Sequence, residues 1–114
     1  MLPVLSEVLS KKLAASIPEA RHGGVYVQTQ GPRFETVAEI LALSRVADLV
    51  GMTIASEATL ACELGMDFSA LCTVDNYANG LADGILTFDE ILEISRSYRH
   101  RTAELVNTII RNMA

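Results

Sequence analysis

Gly24-Val-Tyr-Val-Gln-Thr-Gln-Gly-Pro-Arg-Phe-Glu-Thr-Val-Ala-Glu-Ile40 is the stretch on which the fold turns. Gly23 and Gly24 open Val25 to Thr29, a β-branched and aromatic run that predicts a strand. Gln30 to Glu35 predicts a tight loop. Thr36 followed by Glu39 is a capping box, so a helix should run from there to about Val46. A strand, a short loop and a helix in immediate succession are the opening of a β-α-β unit.

Working outward, the same alternation continues. Asp48 to Gly51 predicts a short apolar strand, and Ala55 to Leu64 a helix that Gly65 closes. Phe68 to Val74 is a continuous apolar run, expected as a strand buried on both faces. Asp75 to Leu86 is rich in Asp, Asn and Gly, and a loop of that length in so short a chain usually has work to do. Thr87 and Glu90 form a second capping box, opening a long amphipathic helix to the C-terminus. On the other side, apolar positions 5, 8, 9 and 13 predict an amphipathic helix from Leu5 to Ala15 that Pro18 stops. Strands alternating with helices imply an α/β fold with a mainly parallel sheet.

Composition bounds the function. The chain has 114 residues, half of them apolar and 20% charged, which suits one domain spanning residues 1–114. A net charge of -5 with scattered basic residues argues against a nucleic-acid surface. The densest basic group, Arg96, Arg99, His100 and Arg101, fits a solvated helix face. No segment reaches the ~20 uninterrupted apolar residues of a membrane span, and Met1 to Lys12 has the wrong order for a signal peptide. Cys62 and Cys72 lack metal-ligand spacing and read as two buried thiols of a cytoplasmic protein. His22 and His100 are too distant to suggest a metal site.

Ligands of an open α/β sheet bind at the carboxyl ends of its strands. Gly31 to Glu35, Met52 to Glu57 and Asp75 to Asn79 all fall there, and their convergence predicts a small-molecule site. Phe34 beside Glu35 could stack on a heteroaromatic ring and accept from its N–H groups; equally, Phe34 could be core and Glu35 a first-turn acid. Thr53 could hold an oxyanion or simply cap a helix. Asn76 could both donate to and accept from a ring, or merely start a turn.

The Gly24–Ile40 stretch resembles the signature of trimeric purine nucleoside and methylthioadenosine phosphorylases. Val50-Gly-Met-Thr53 with Glu57, Leu60 to Met66, and Val74-Asp-Asn-Tyr-Ala-Asn-Gly80 continue the resemblance in order and spacing. It implies a three-layer, mainly parallel mixed sheet flanked by helices, present here only as the C-terminal half of a nucleoside phosphorylase. It also implies phosphorolysis: phosphate attacks the anomeric carbon of a purine nucleoside, with inorganic phosphate as co-substrate and no other cofactor.

The resemblance also assigns roles. Phe34 would pack on the base and Glu35 hydrogen-bond it, Met52 would lie against the ribose, and Thr53 would contact phosphate. Asn76, as the catalytic residue, would meet N7 and the 6-substituent. Asn at 76 and Ala at 78 resemble the 6-oxopurine branch, because the adenine branch has Asp at both. Phe88 aligns where the nucleoside branch has a His for the ribose 5′-hydroxyl and the methylthio branch an apolar residue. Ser56 replaces a proline common in the family, which should loosen that turn. The family's Gly/Ser phosphate loop has no counterpart here, so the chain is expected to be inactive alone and to self-associate or to take an N-terminal half as partner. A catalytically dead purine-binding or oligomerisation module, and a nucleoside hydrolase of related fold, are the alternatives.

Overall fold

The computed structural model describes residues 2–84 and 87–114. Its centre is a β-α-β unit. Strand β1, Tyr26–Gln28, runs parallel to β2, Leu49–Gly51, with Tyr26, Val27 and Gln28 opposite Leu49, Val50 and Gly51. Helix α2, Val37–Leu43, makes the crossover between them, as parallel pairing requires. Helix α3, Ile54–Glu63, follows β2 after the two-residue turn of Met52 and Thr53 and packs on β1. The buried apolar residues among those described are Ile17, Ile40, Ala58 and Ala61.

Local chemistry sets the helix ends. Both capping boxes form as the sequence predicts: Thr36 Oγ1 accepts from Glu39 N–H at 3.2 Å while Glu39 accepts from Thr36 N–H at 2.6 Å. Thr87 and Glu90 do the same at the start of α4, Phe88–Met113. Gly65, at φ +67, ends α3 in a Schellman motif: Met66 N–H reaches Ala61 O at 2.8 Å and Gly65 N–H reaches Cys62 O at 3.1 Å. Helix α1, Glu7–Ser16, stops short of Pro18 and packs against α4, where Arg101 pairs with Glu19. The basic face of α4 is exposed, with His100 3.3 Å from Glu104. No helix among the described residues is long and apolar enough to cross a membrane.

The expected strand at Phe68 to Val74 does not form. A strand exists only through ladder bonds to a neighbour, and an apolar run supplies none by itself. Instead, Phe68 O accepts from Ser6 N–H at 2.7 Å and the Ser69 and Ser10 hydroxyls pair at 2.8 Å, tying the segment to α1. Nor is it buried on both faces, since Val74 is 64% exposed. Cys72 is accordingly exposed and Cys62 only half-buried, which corrects the reading of both as buried thiols.

Candidate functional site

The carboxyl ends of β1 and β2 lie side by side, so the loops that leave them share one edge. The first contact between those loops is at Gly31, which has φ +64. A Cβ there would stand 2.6 Å from Met52 Sδ, so the Met52 thioether rests directly on the Gly31 backbone. A side chain at 31 would force the two loops apart.

Glu35 is 8% exposed, and its carboxylate accepts from the Thr29 hydroxyl. Its backbone carbonyl accepts from Asn79 Nδ2 at 3.2 Å, which draws the Asp75–Gly80 segment onto this edge. Gly80, at φ +81, packs its Cα against the Val37 side chain and admits nothing larger. Phe34 beside Glu35 is 46% exposed, so it is not a core residue.

A staple holds the Phe34–Glu35 loop. The Arg33 guanidinium donates to both Glu39 oxygens at 2.8 Å and to Phe34 O at 3.0 Å. The bond from Arg33, and then the Thr36 N–H, pull the Glu39 carboxyl down to about 2, while Glu39 raises the Arg33 value. This pair closes the loop over the start of α2.

Thr53 is the N-cap of α3, yet its hydroxyl makes no capping bond. Its backbone N–H donates instead to the Tyr26 hydroxyl at 3.4 Å. The first-turn N–H of Ser56 is taken by Gln28 Oε1 at 2.9 Å. Ser56 thus ties the turn to β1.

Asn76 is exposed, with its amide donating to Tyr77 O at 2.8 Å. Phe88, the first residue of α4, is 65% exposed. The structure therefore brings Phe34, Glu35, Met52 and Thr53 to one strand-end edge and stitches the loop of Asn76 to it through Asn79. An open hollow of about 590 Å³ lies between residues 76–84 and α4, lined by Asn76 but by none of the other predicted site residues. The strand-end cluster has the stronger claim, because ligands of open parallel sheets meet the strand ends. Ile85 and Leu86 of the predicted loop lie outside the described residues.

Thr29, Gln28, Tyr26 and Asn79 were not singled out from the sequence. The alternation of Tyr26 and Gln28 along one strand face was the available signal for that pair. For Asn79 the Asn-rich loop was legible, but not which amide would reach back to Glu35.

The sequence model of the Phosphorylase superfamily matches residues 2–111. The chain is similar to a "Probable 6-oxopurine nucleoside phosphorylase" of Archaeoglobus fulgidus, 42% identical over 90 residues, covering 79% of this chain and 37% of the relative. It is also similar to a "Probable S-methyl-5'-thioinosine phosphorylase" of Methanopyrus kandleri, 40% identical over 109 residues, covering 95% of this chain and 43% of the relative. A third relative of the latter name, from Methanocaldococcus jannaschii, is 45% identical over 87 residues, with 76% and 34% covered. The chain thus spans well under half the length of these curated relatives.

Proposed function

The chain belongs to the Phosphorylase superfamily, and on that premise we propose that it supplies the nucleoside side of a purine nucleoside phosphorylase site, with 6-oxopurine nucleosides or their 5′-methylthio forms as substrates. The observation that carries this reading is the meeting of three loops at one strand-end edge: Met52 on Gly31, and Asn79 on the Glu35 carbonyl.

In this reading phosphate attacks the anomeric carbon as the bond to the purine breaks, and negative charge collects on the base. The Thr53 hydroxyl, which makes no capping bond, and the N–H groups of Ile54 and Ala55 at the start of α3 face the phosphate. Phe34 packs on the ring and Glu35 accepts from its N1–H. Asn76 exchanges its bond to Tyr77 O for one to N7, where a donor stabilises the leaving base. Met52 lies along the ribose, and an apolar Phe88 suits a methylthio group. Inorganic phosphate is the co-substrate and no further cofactor enters. The β1–β2 pair is then part of a wider, mainly parallel mixed sheet in three layers, in a cytoplasmic enzyme of purine salvage.

Inosine, guanosine and their methylthio analogues, each with and without phosphate, test the reading. The 114 residues contain no Gly/Ser phosphate loop, so the chain alone should release no base. Fused behind the portion of the Methanopyrus relative that precedes the matched segment, it should release base only with phosphate. Release that does not need phosphate would point to a hydrolase. One observation favours the second reading, an inert purine-binding or oligomerising module: the apolar surface the chain exposes. A folded but inactive fusion would support that reading.

A further inference from the structure

Residues 78–81 make a β-turn, closed by Leu81 N–H donating to Ala78 O at 3.1 Å. Gly80 holds its third position at φ +81, the conformation a type II turn requires there and glycine adopts at no steric cost. That leaves Asn79 at the second position, half-buried.

Two contacts seat this turn on the start of α2, one on either side of the N-cap residue Thr36. Before it, Asn79 Nδ2 donates to the Glu35 carbonyl at 3.2 Å. After it, Gly80 lies so close to Val37 that a Cβ would stand 2.8 Å and 2.9 Å from the two methyl carbons. The ground beneath is firm, because the capping box and the Arg33–Glu39 pair fix this helix end. Asn76 sits three residues ahead of Asn79, exposed, and the bond its amide makes is to Tyr77 O within the same loop. A bond of that kind shapes the loop but does not place it on the molecule; the turn does.

We infer that Asn79 is a positioning residue for base recognition: with Gly80 seated on Val37, it holds the loop of Asn76 against the helix start that carries Glu35, and so fixes the spacing at which the two side chains meet one purine from two edges. This rests on the reading of Glu35 and Asn76 as base contacts and adds what holds one against the other. Without the Asn79 bond, the ligand itself has to order the loop, which costs affinity. A 6-oxopurine, which engages both groups, bears that cost. Adenine offers Glu35 no N1–H and has less to lose.

The test is nuclear magnetic resonance on the ¹³C,¹⁵N-labelled 114-residue chain, titrated separately with hypoxanthine and with adenine. Asn79→Asp keeps the shape of the side chain, but a carboxylate only accepts and cannot bond the Glu35 carbonyl. Gly80→Ala attacks the second contact, since its Cβ meets Val37 and its φ is strained. In the unsubstituted chain the Gly80 α-protons should show nuclear Overhauser contacts to the Val37 methyls. Hypoxanthine should shift the Glu35 backbone amide and the Asn76 side-chain amide. Asn79→Asp should lose the Gly80–Val37 contact, and both variants should bind hypoxanthine about fivefold more weakly, as for one neutral hydrogen bond lost. Adenine binding should hold within about twofold on the same scale, and the amides of β1 and α3 should keep their positions. Equal weakening of both bases would overturn the inference, because it would make Asn79 a support of the fold and not of recognition. An Asn79→Asp chain that keeps the Gly80–Val37 contact and its hypoxanthine affinity would also overturn it, and leave the base reading standing. No response of Glu35 or Asn76 to hypoxanthine in the unsubstituted chain would overturn the base reading, and this inference with it.

Discussion

Glu35 concentrates the residue-scale argument, because it is a buried carboxylate with one hydroxyl partner and a second loop hung on its carbonyl. A carboxylate kept from water retains unused acceptor sites, which is what a ring N–H would need. Thr29→Val removes its hydroxyl partner and should lower stability by about 1–3 kcal/mol, measured as a shift in the urea midpoint. In the fusion, Glu35→Ala should lower kcat/KM for inosine by roughly 10- to 150-fold, the range for losing a hydrogen bond to a charged group. An effect below threefold would remove Glu35 from base recognition. The candidates Phe34, Glu35, Met52 and Thr53 were legible because strand-end residues identify themselves by position. The residues that fix them were not, since Gln28 and Asn79 act across 28 and 44 positions respectively.

At the scale of elements, the sequence was most informative where the physics is local. Both capping boxes and the Gly65 stop came from spacing alone, because each depends on residues within a turn of one another, whereas the parallel pair followed from the alternation of strands with helices. The third strand failed for the complementary reason: whether Phe68 to Val74 pairs depends on what lies beside it, and apolar content does not encode that. The start of α2 also carries a pH dependence. Glu39 has a folded value of about 2 against an ordinary 4.5, held down by Arg33 and the Thr36 N–H. A depressed carboxyl stabilises the fold fully above its unfolded value and loses that contribution as pH falls through the folded one. The urea midpoint should therefore fall between about pH 4.5 and 2, with Glu90 at α4 contributing in the same direction. Glu39→Gln should flatten the Glu39 part of that fall. Thr36→Ala should cost about 1 kcal/mol at neutral pH as an N-cap loss.

The whole molecule is more open than its mass predicts. It exposes 8828 Å², whereas a 12.3 kDa monomer should expose about 6100 Å². Its radius of gyration is 15.4 Å against about 13 Å for this length. Leu64 and Ile110 are 73% and 62% exposed, and no large side chain among those described is fully buried. The excess, about 2700 Å² on the same scaling, is the size of an obligate interface. Sedimentation at high concentration should accordingly find a dimer or larger species; a clean monomer would contradict this. The central claim is that the edge joining Glu35, Met52 and Thr53 to the Asn76 loop reads a 6-oxopurine. In such a base N1–H donates to Glu35, whereas adenine turns a lone pair toward the carboxylate. The mismatch should cost on the order of 1–3 kcal/mol. The most direct test is the kcat/KM ratio of inosine to adenosine in the fusion, with Asn76 intact and with Asn76→Asp. The account predicts inosine favoured by roughly 5- to 150-fold, following from that cost, and a shift toward adenosine in the variant. Adenosine favoured with Asn76 in place, or a ratio that Asn76→Asp leaves unmoved, would contradict it.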